Sequence, residues 1–192
     1  MRASETGLRA RLVDVGVDLV AREGAQALTL REIARRAGVS HGAPRRYFPT
    51  HLELLSAIAR RGFAELAVQA TAAVGDGTAR PRAQITALTH SYLRFALDNR
   101  GIYELMFRHD LLESGHLGLR DSSLPLFGRL VDLVGRALPD ADARLVAGAL
   151  WANLHGIAQL WVWGSLQLTT GVDDFETLLR AALDAHLGQE GP

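Results

Sequence analysis

The stretch TLREIARRAGVSHGAPRRYF, residues 29–48, decides the fold, because its spacing predicts two short helices joined by a tight turn. Thr29 stands three residues before Glu32 and just ahead of an apolar run, which is the spacing of a helix-capping box. Gly38 suits the left-handed conformation in which many helices end. A helix, a glycine-containing turn and a second helix form a helix-turn-helix, whose second helix enters the major groove of DNA.

The second predicted helix, about residues 41–48, carries residue types that suit contact with DNA. Ser40 is a favourable N-cap, and the small residues Gly42 and Ala43 would let the backbone approach base edges closely. Arg46 could contact guanine, which is the commonest specific partner of arginine. Each of these residues could instead serve only in capping, in the turn or on a solvated surface. The set expected at the DNA from this helix is Ser40, His41, Gly42, Ala43, Arg46 and Tyr47.

The composition of the 192 residues is that of a globular protein, since 48% are hydrophobic and can form a substantial core. Cysteine is absent, which excludes disulfides and thiolate metal sites. The sequence has no apolar run near the length that crosses a bilayer. Its first residues, MRASETGLRARL, lack the apolar core of a secretory signal. A cytoplasmic protein that does not bind a membrane is therefore expected.

The net charge is zero, but the charges are unevenly distributed along the chain. Residues 1–65 hold 11 Arg and 7 acidic residues, a balance of +4. The remainder holds 10 Arg and 14 acidic residues, a balance of −4. The basic excess therefore lies on the segment that contains the helix-turn-helix, where contacts with phosphate would need it.

Helical periodicity continues beyond this motif and predicts an all-α protein, since no strand-like alternation is present. The segment GDGTARP, residues 75–81, marks the predicted domain boundary. We expect a three-helix head at residues 1–50, a linking helix at 51–74 and a larger C-terminal helical domain at 75–192. Residues 109–123 are weakly patterned and predict a loop with a turn or two of helix. The predicted helices span residues 6–23, 30–37, 41–48, 51–74, 82–99, 102–108, 124–138, 142–168 and 173–187.

The head resembles the DNA-binding domain of the TetR family of bacterial repressors. The resemblance covers roughly residues 8–65 and includes LTLREIARRAGVSHGAPRRYF followed by PTHLELLSAIA. A second segment, WANLHGIAQL, resembles one C-terminal class of the family through a Trp-His-Gly signature, here Trp151, His155 and Gly156. The positions that carry the resemblance in the head are Thr29, Ile33, Ala34, Gly38, Val39, Ser40, Phe48 and Leu55.

The resemblance implies phosphate contacts around the helix-turn-helix, with two departures from the family pattern. Family members usually have Tyr at the position of Arg45, and Arg45 can also meet a phosphate, with more charge and a longer reach. They usually have Lys at the position of His51, so a neutral His51 would weaken one contact, although backbone N–H groups at the start of the fourth helix remain an anion site. Pro44 is expected to distort the first turn of the recognition helix. Thr29, Arg45 and His51 complete the expected DNA-binding set.

The resemblance also implies a homodimer. A single short recognition helix covers too few bases to find an operator, so such heads bind near-palindromic half-sites in pairs. The family places the interface on the last two helices, where small and apolar residues in this chain permit close approach. The alternative is that these residues pack only within one chain. The candidate interface residues are Gly148, Ala152, Phe175, Leu178, Leu179 and Ala182.

The third implied part is an effector pocket in the C-terminal domain. A small molecule would bind there and move the fourth helix, so that the two heads no longer fit the operator. His155 and Gln159 lie one turn apart in an apolar helix and need hydrogen-bond partners if they are buried. The aromatic candidates suggest a flat or apolar effector, and each candidate could instead be a core residue. The candidates are Tyr92, Phe95, Met106, Phe107, Trp151, His155, Gln159 and Trp163.

No enzyme activity, cofactor or metal is expected, because the sequence has no nucleophile elbow, phosphate loop or paired helical histidines. The resemblance implies a ligand-responsive, DNA-binding transcriptional regulator, most simply a repressor. The alternative is a helical small-molecule-binding or interaction protein whose head no longer binds DNA. The departures at Arg45 and His51 keep this alternative open.

Overall fold

The computed structural model describes residues 2–108, 110–111 and 118–189, which contain helices and no strand. This confirms the all-α prediction. The described residues group into two compact units: the first unit is Met1–Glu65 with Asn99–Ser123, and the second is Leu66–Asp98 with Leu124–Pro192. The helices are α1 (Arg2–Glu23), α2 (Leu30–Arg36), α3 (Ala43–Tyr47), α4 (His51–Val74), α5 (Pro81–Asp98), α6 (Arg100–Met106), α7 (Leu119–Ala137), α8 (Ala143–Val162), α9 (Ser165–Thr170) and α10 (Phe175–Leu187).

The core of the first unit forms where α1 lies against the N-terminal part of α4. Leu12 and Leu19 of α1 and Ile58 of α4 are fully buried, and burial of each such side chain contributes about 1.5–3 kcal/mol. The helices approach closely at Gly16, where a Cβ would stand 2.4 Å from Cδ1 of Ile58. Phe48, which follows α3, is also fully buried and connects the helix-turn-helix to this core.

The helix α6 belongs to the first unit, although the sequence assigned everything after residue 75 to a C-terminal domain. The physical reason is its apolar side, which packs on the first unit: a Cβ at Gly62 would stand 2.6 Å from Sδ of Met106. The ring of Phe107 meets those of Phe63 and Tyr103 at centroid distances of 5.7 and 5.0 Å. Periodicity showed the apolar stripe of this segment but not the partner on which it packs.

The second unit is built around α8, which packs against α5, α9 and α10. Asp142 caps α8 by accepting hydrogen bonds from the backbone N–H groups of Arg144 and Leu145, both at 3.1 Å. The guanidinium of Arg82 in α5 donates to the carboxylate of Asp184 in α10 at 2.6 Å. The contact between Arg82 and Asp184 holds the last helix, α10, against α5.

Sequence predictions about helix bounds after residue 108 need two corrections. The predicted helix at 142–168 is wrong as one continuous helix, because Gly164 adopts a left-handed conformation (φ 74°) that separates α8 from α9. The N–H of Gly164 donates to the carbonyl of Trp161 at 3.0 Å and closes the turn. α7 begins at Leu119, five residues before the predicted start. Of the predicted loop at 109–123, residues 109 and 112–117 lie outside the described residues.

Candidate nucleic-acid interface

The first helix of the motif, α2, starts at the predicted residue and ends one residue earlier than predicted, with Ala37 as its C-cap. Thr29 is its N-cap, and the Thr29 hydroxyl oxygen accepts a hydrogen bond from the N–H of Glu32 at 3.1 Å. Gly38 ends the helix region with φ 65°, a conformation that disfavours residues with a Cβ. The N–H of Val39 then donates to the carbonyl of Ala34 at 3.0 Å. This turn directs the chain into α3.

The recognition helix α3 starts two residues later than predicted, at Ala43. Ser40 is not its N-cap: Gly42 holds that position and offers no side-chain cap. The carbonyl of Ser40 instead accepts a hydrogen bond from the N–H of Ala43 at 2.9 Å, so residues 40–43 form a separate turn. Pro44 then occupies the first turn of the helix, where its missing N–H costs nothing. The first turn accommodates Pro44, and the N–H of Phe48 donates to its carbonyl at 2.8 Å; the distortion expected from Pro44 stays a prediction.

One side of α3 faces the core of the first unit and the other side is accessible. Pro44 and Phe48 are buried, whereas Arg45 and Arg46 are exposed. Neither arginine makes an ion pair with a carboxylate of the described residues. Of the remaining predicted DNA contacts on the motif, Ser40, His41 and Gly42 are exposed and Ala43 and Tyr47 are half-buried. The predicted residues of α3 and its turn thus lie on one accessible, basic surface.

The arginines at the end of α2, unlike Arg45 and Arg46, form ion pairs with carboxylates. Glu32 accepts hydrogen bonds from Arg35 and Arg36, and Arg36 also donates to Glu23. The hydrogen bonds from Arg35 and Arg36 lower the pKa of the Glu32 carboxyl to about 2. The Glu32 side chain therefore turns toward the arginines, and of the capping box only the Thr29 half is present. Arg35 and Arg36 are thus held in ion pairs on the surface of the first unit.

His51, the first residue of α4, is held by the chain. The Nε2–H of its ring donates to the carbonyl of Leu28, which precedes the N-cap of α2. Thr50 caps the helix by accepting a hydrogen bond from the N–H of Glu53 at 3.2 Å. Thr29 and His51 are both exposed, and the hydrogen bond to Leu28 brings the starts of α2 and α4 together. Thr29 and His51, two members of the expected DNA-binding set, therefore lie at neighbouring helix N-termini.

Sequence reasoning missed Arg31. It is exposed in the first turn of α2, two residues after the Thr29 cap, and it makes no ion pair with a carboxylate of the described residues. Its position at a helix N-terminus next to predicted phosphate contacts was the signal that could have identified it.

Comparison with known proteins matches most of this chain to one family. Residues 12–58 match the family described as bacterial regulatory proteins, tetR family, and residues 85–186 match the family described as tetracyclin repressor-like, C-terminal domain. The chain belongs to the TetR family of transcriptional regulators. Its assignment to the Trp-His-Gly class within that family stays a prediction.

Individual proteins are also similar to this chain. One curated relative is the HTH-type transcriptional regulator BetI of Rhizobium meliloti (strain 1021), 38% identical over 80 residues, which are 42% of this chain and 39% of BetI. The chain thus spans about two fifths of the length of that relative. A protein of unknown function from Rhodococcus sp. RHA1 is 29% identical with a TM-score of 0.82, over 95% of this chain and 96% of its own. The regulatory protein SCO4313 is 26% identical with a TM-score of 0.73, over 98% and 99%.

The predicted effector residues of this TetR-family chain are divided between the two units. Met106 and Phe107 lie in the first unit, where Met106 is fully buried. In the second unit, the hydroxyl of Tyr92 and Nδ1 of His155 are hydrogen-bonded at 3.1 Å. The rings of Trp151 and His155 lie 5.9 Å apart. The structure therefore brings together Tyr92, Trp151 and His155 from the predicted set.

The other candidates in the second unit differ in exposure. Phe95 is buried, Gln159 is half-buried, and Trp163 is 63% exposed. The sequence missed Phe127 of α7, whose ring lies 6.1 Å from that of Trp151. Burial lowers the pKa of His155, so its imidazole is neutral at pH 7. The cluster of Tyr92, Phe127, Trp151 and His155 is therefore aromatic, with an uncharged polar pair at one end.

A cleft of about 470 Å³ in the second unit is lined by other residues, from the end of α4, the loop after it, α5 and α7. One of the lining residues is Gln84, which is 3% exposed. The amide nitrogen of Gln84 donates to the carbonyl of Gly77 at 2.7 Å, and its oxygen accepts from Arg136 at 3.0 Å. Gln84 thus closes the loop between α4 and α5, and none of the predicted effector residues lines this cleft.

The predicted dimer-interface residues differ in their exposure. Phe175, Leu179 and Ala182 are buried within one chain, so this apolar stripe of α10 packs on α8 and α5 and is not available to a second copy. Gly148 and Leu178 are half-buried and Ala152 is exposed. The outward residues of α8 recur every three or four positions and share one face, which continues to Trp163 directly after the helix. These residues are Leu145, Ala149, Ala152, Gly156 and Leu160.

The outward face of α8 is apolar and open. A Cβ at Gly148 or Gly156 would meet no atom within 4 Å. Contrary to the expectation from the sequence, one helix within the described part of the chain, α8, is long and apolar enough to cross a bilayer, with a mean hydropathy of 1.2 and 28% of its most apolar stretch buried. Length and composition alone do not separate a membrane span from a helix whose apolar face is covered by protein.

Proposed function

We propose that this protein is a transcriptional repressor that binds a near-palindromic operator as a homodimer and leaves it when a small molecule binds. The accessible basic surface of α3 carries the proposal. Arg45 and Arg46 are exposed and without a carboxylate partner among the described residues, whereas nearby Arg35 and Arg36 are neutralised by Glu32. The charge that remains available is thus on the helix that a helix-turn-helix inserts into DNA. The protein would act in the cytoplasm and would catalyse no reaction.

The contacts divide into those that read bases and those that hold the backbone. The turn and first residues of α3, His41 to Ala43, would approach base edges, and Arg46 would donate to guanine O6 and N7. Arg45 and Tyr47 would meet phosphates on one side of the groove. The starts of α2 and α4, with Thr29, Arg31 and His51, would hold a phosphate on the other side.

A second copy of this chain is the proposed occupant of the outward face of α8. Small residues at 148, 149, 152 and 156 allow close approach of another helix, and the larger Leu145, Leu160 and Trp163 would add apolar area at both ends. Leu178, Ala181 and Ala185 give α10 a second outward row of small and apolar residues. The two helices from each copy would form a four-helix bundle.

The proposed effector site is the cluster of Tyr92, Phe127, Trp151 and His155. Its rings suit a flat or apolar molecule, and the neutral Tyr92–His155 pair could exchange its internal hydrogen bond for one to a polar group of the ligand. α4 contributes residues to both units, so a shift of this helix would carry the response to the DNA-binding surface. Binding would weaken operator affinity through a coupling of about 1–3 kcal/mol.

Selection of bound duplexes from a random DNA pool tests the proposal. The expected result is an enriched near-palindrome whose affinity falls steeply with salt, with a log–log slope near −0.9 for each phosphate neutralised. A protein that enriches no sequence and binds DNA at no salt concentration, but whose thermal stability rises with small molecules, would instead be a ligand-binding protein with a non-functional head. That outcome would overturn the proposed function.

A further inference from the structure

We propose that the N-terminal part of α1 is an additional phosphate-binding element of the DNA interface, in which Arg9 and Arg11 contact the backbone. This inference rests on the proposed DNA binding and adds a third helix end to the surface formed by α2, α3 and α4. Both arginines precede residues 12–58, the segment that matches the tetR family, so that match does not assign them a role.

The two guanidinium groups lie against opposite parts of the helix-turn-helix. Cζ of Arg9 is 5.1 Å from the centre of the Phe48 ring, directly after the last residue of α3. Nη2 of Arg11 is 3.8 Å from the position that a Cβ would take at Gly38, in the turn between α2 and α3. α1 thus brings positive charge to both the turn and the end of the recognition helix.

Ion pairing distinguishes Arg9 and Arg11 from other arginines of the first unit. Arg22, at the other end of α1, donates to Asp18 at 2.9 Å, and Arg100 in α6 donates to Glu104 at 2.8 Å. Arg9 and Arg11 are exposed and make no ion pair with a carboxylate of the described residues. Asp14 lies three residues after Arg11, a spacing that allows an ion pair, and none forms. Like Arg45 and Arg46, Arg9 and Arg11 are therefore exposed and not paired with a carboxylate of the described residues.

The contact with Phe48 prepares Arg9 for phosphate binding. A guanidinium over an aromatic ring is held in orientation and keeps N–H donors at its edge, which match the geometry of phosphate oxygens. Arg11 has no such support but has the same charge and reach. Their contacts would be to the backbone, so they would add affinity to any duplex without adding sequence preference.

The salt dependence of binding measures this role. Wild type, Arg9→Gln and Arg11→Gln are compared on the selected operator and on an unrelated duplex. Each variant is expected to lose about 0.9 from the magnitude of the log–log salt slope, with an unchanged ratio of operator to unrelated affinity. Arg9→Lys retains the charge and should retain the slope. Arg22→Gln removes a charge from the same helix, but one already paired with Asp18, and should leave the slope at the wild-type value.

The outcomes separate this inference from the proposed function. A wild type that binds the operator, together with Arg9→Gln and Arg11→Gln variants that keep its slope, would overturn the role of α1 and leave the regulator intact. A variant that only lowers the thermal unfolding temperature, with no change of slope, would show that Arg9 serves as a cover for Phe48 and would also overturn it. A wild type that binds no DNA would contradict both the role of α1 and the proposed function.

Discussion

Gly101 meets α1 so closely that a Cβ on residue 101 would stand 2.3 Å from the carbonyl oxygen of Val20. The contact is between α6 and the backbone of α1, the helix that also carries Arg9 and Arg11. A backbone oxygen cannot move aside as a flexible side chain can, so a larger residue at 101 must displace a helix.

Gly101→Ala should therefore destabilise the protein by about 1–3 kcal/mol, the usual cost of overpacking a core. Urea unfolding followed by circular dichroism would measure the loss. Gly128→Ala in α7 is the matched control, since a Cβ there meets nothing within 4 Å and alanine favours the helix. Equal stability of the two variants would show that α6 can shift on α1 at no cost.

Arg46→Ala and Arg45→Ala should weaken DNA binding in different ways. Loss of Arg46, the proposed guanine contact, should reduce operator affinity by about 1–3 kcal/mol and reduce affinity for unrelated DNA much less. Loss of Arg45, the proposed phosphate contact, should weaken binding to both duplexes equally and lower the salt slope by about 0.9. Fluorescence anisotropy with both duplexes at several salt concentrations would distinguish them. Equal losses for Arg46→Ala on both duplexes would make it a phosphate contact.

Local signals predicted most of the fold. The Thr29 cap, the Gly38 turn and the bounds of α4 all follow from residue types that satisfy or reverse the backbone within a few positions. What the sequence could not predict depends on distant partners. An amphipathic helix shows that it has a buried stripe but not what covers it, which is why the sequence did not show that α6 packs within the first unit or that Phe175 is buried within one chain.

The same distinction applies to the candidate DNA surface. The residue types of α3 and their exposure were predictable, because the motif sets which side enters the groove. Which arginines are available was predictable only in part. Glu32 pairs with Arg35 and Arg36 at the spacing of neighbours on one helix, but Glu23 of α1 also reaches Arg36 of α2, and Arg11 does not pair with Asp14 although their spacing would allow it.

Ala152→Arg should convert the dimer to a monomer. Ala152 is exposed in the isolated chain, so arginine there should leave folding intact, but it would place a charge in the centre of the proposed bundle. Light scattering at micromolar concentration should give about half the wild-type mass, with unchanged helical content. Ala73→Arg, the same exchange at an exposed position in the last turn of α4, should remain dimeric. A wild-type monomer, or a dimeric Ala152→Arg variant, would contradict the α8 interface.

His155→Gln should weaken the effector response while operator affinity survives. The variant removes the imidazole that Tyr92 contacts, and Tyr92→Phe, which removes only the hydroxyl, should act in the same direction. The measurement is the concentration at which a molecule found by screening for operator release acts on each variant. Equal response of both variants and wild type would place the effector elsewhere.

His155 also predicts how stability depends on pH. Burial lowers its pKa below the ordinary 6.5, so below pH 6.5 the unfolded chain binds a proton that the folded chain does not. Its contribution to the free energy of unfolding is unchanged above pH 6.5 and falls as the pH drops below that value. Urea unfolding of wild type and His155→Gln at pH 7.5 and 5.5 should show a smaller loss in the variant. An equal loss would mean that the imidazole protonates as readily in the folded chain as in the unfolded one.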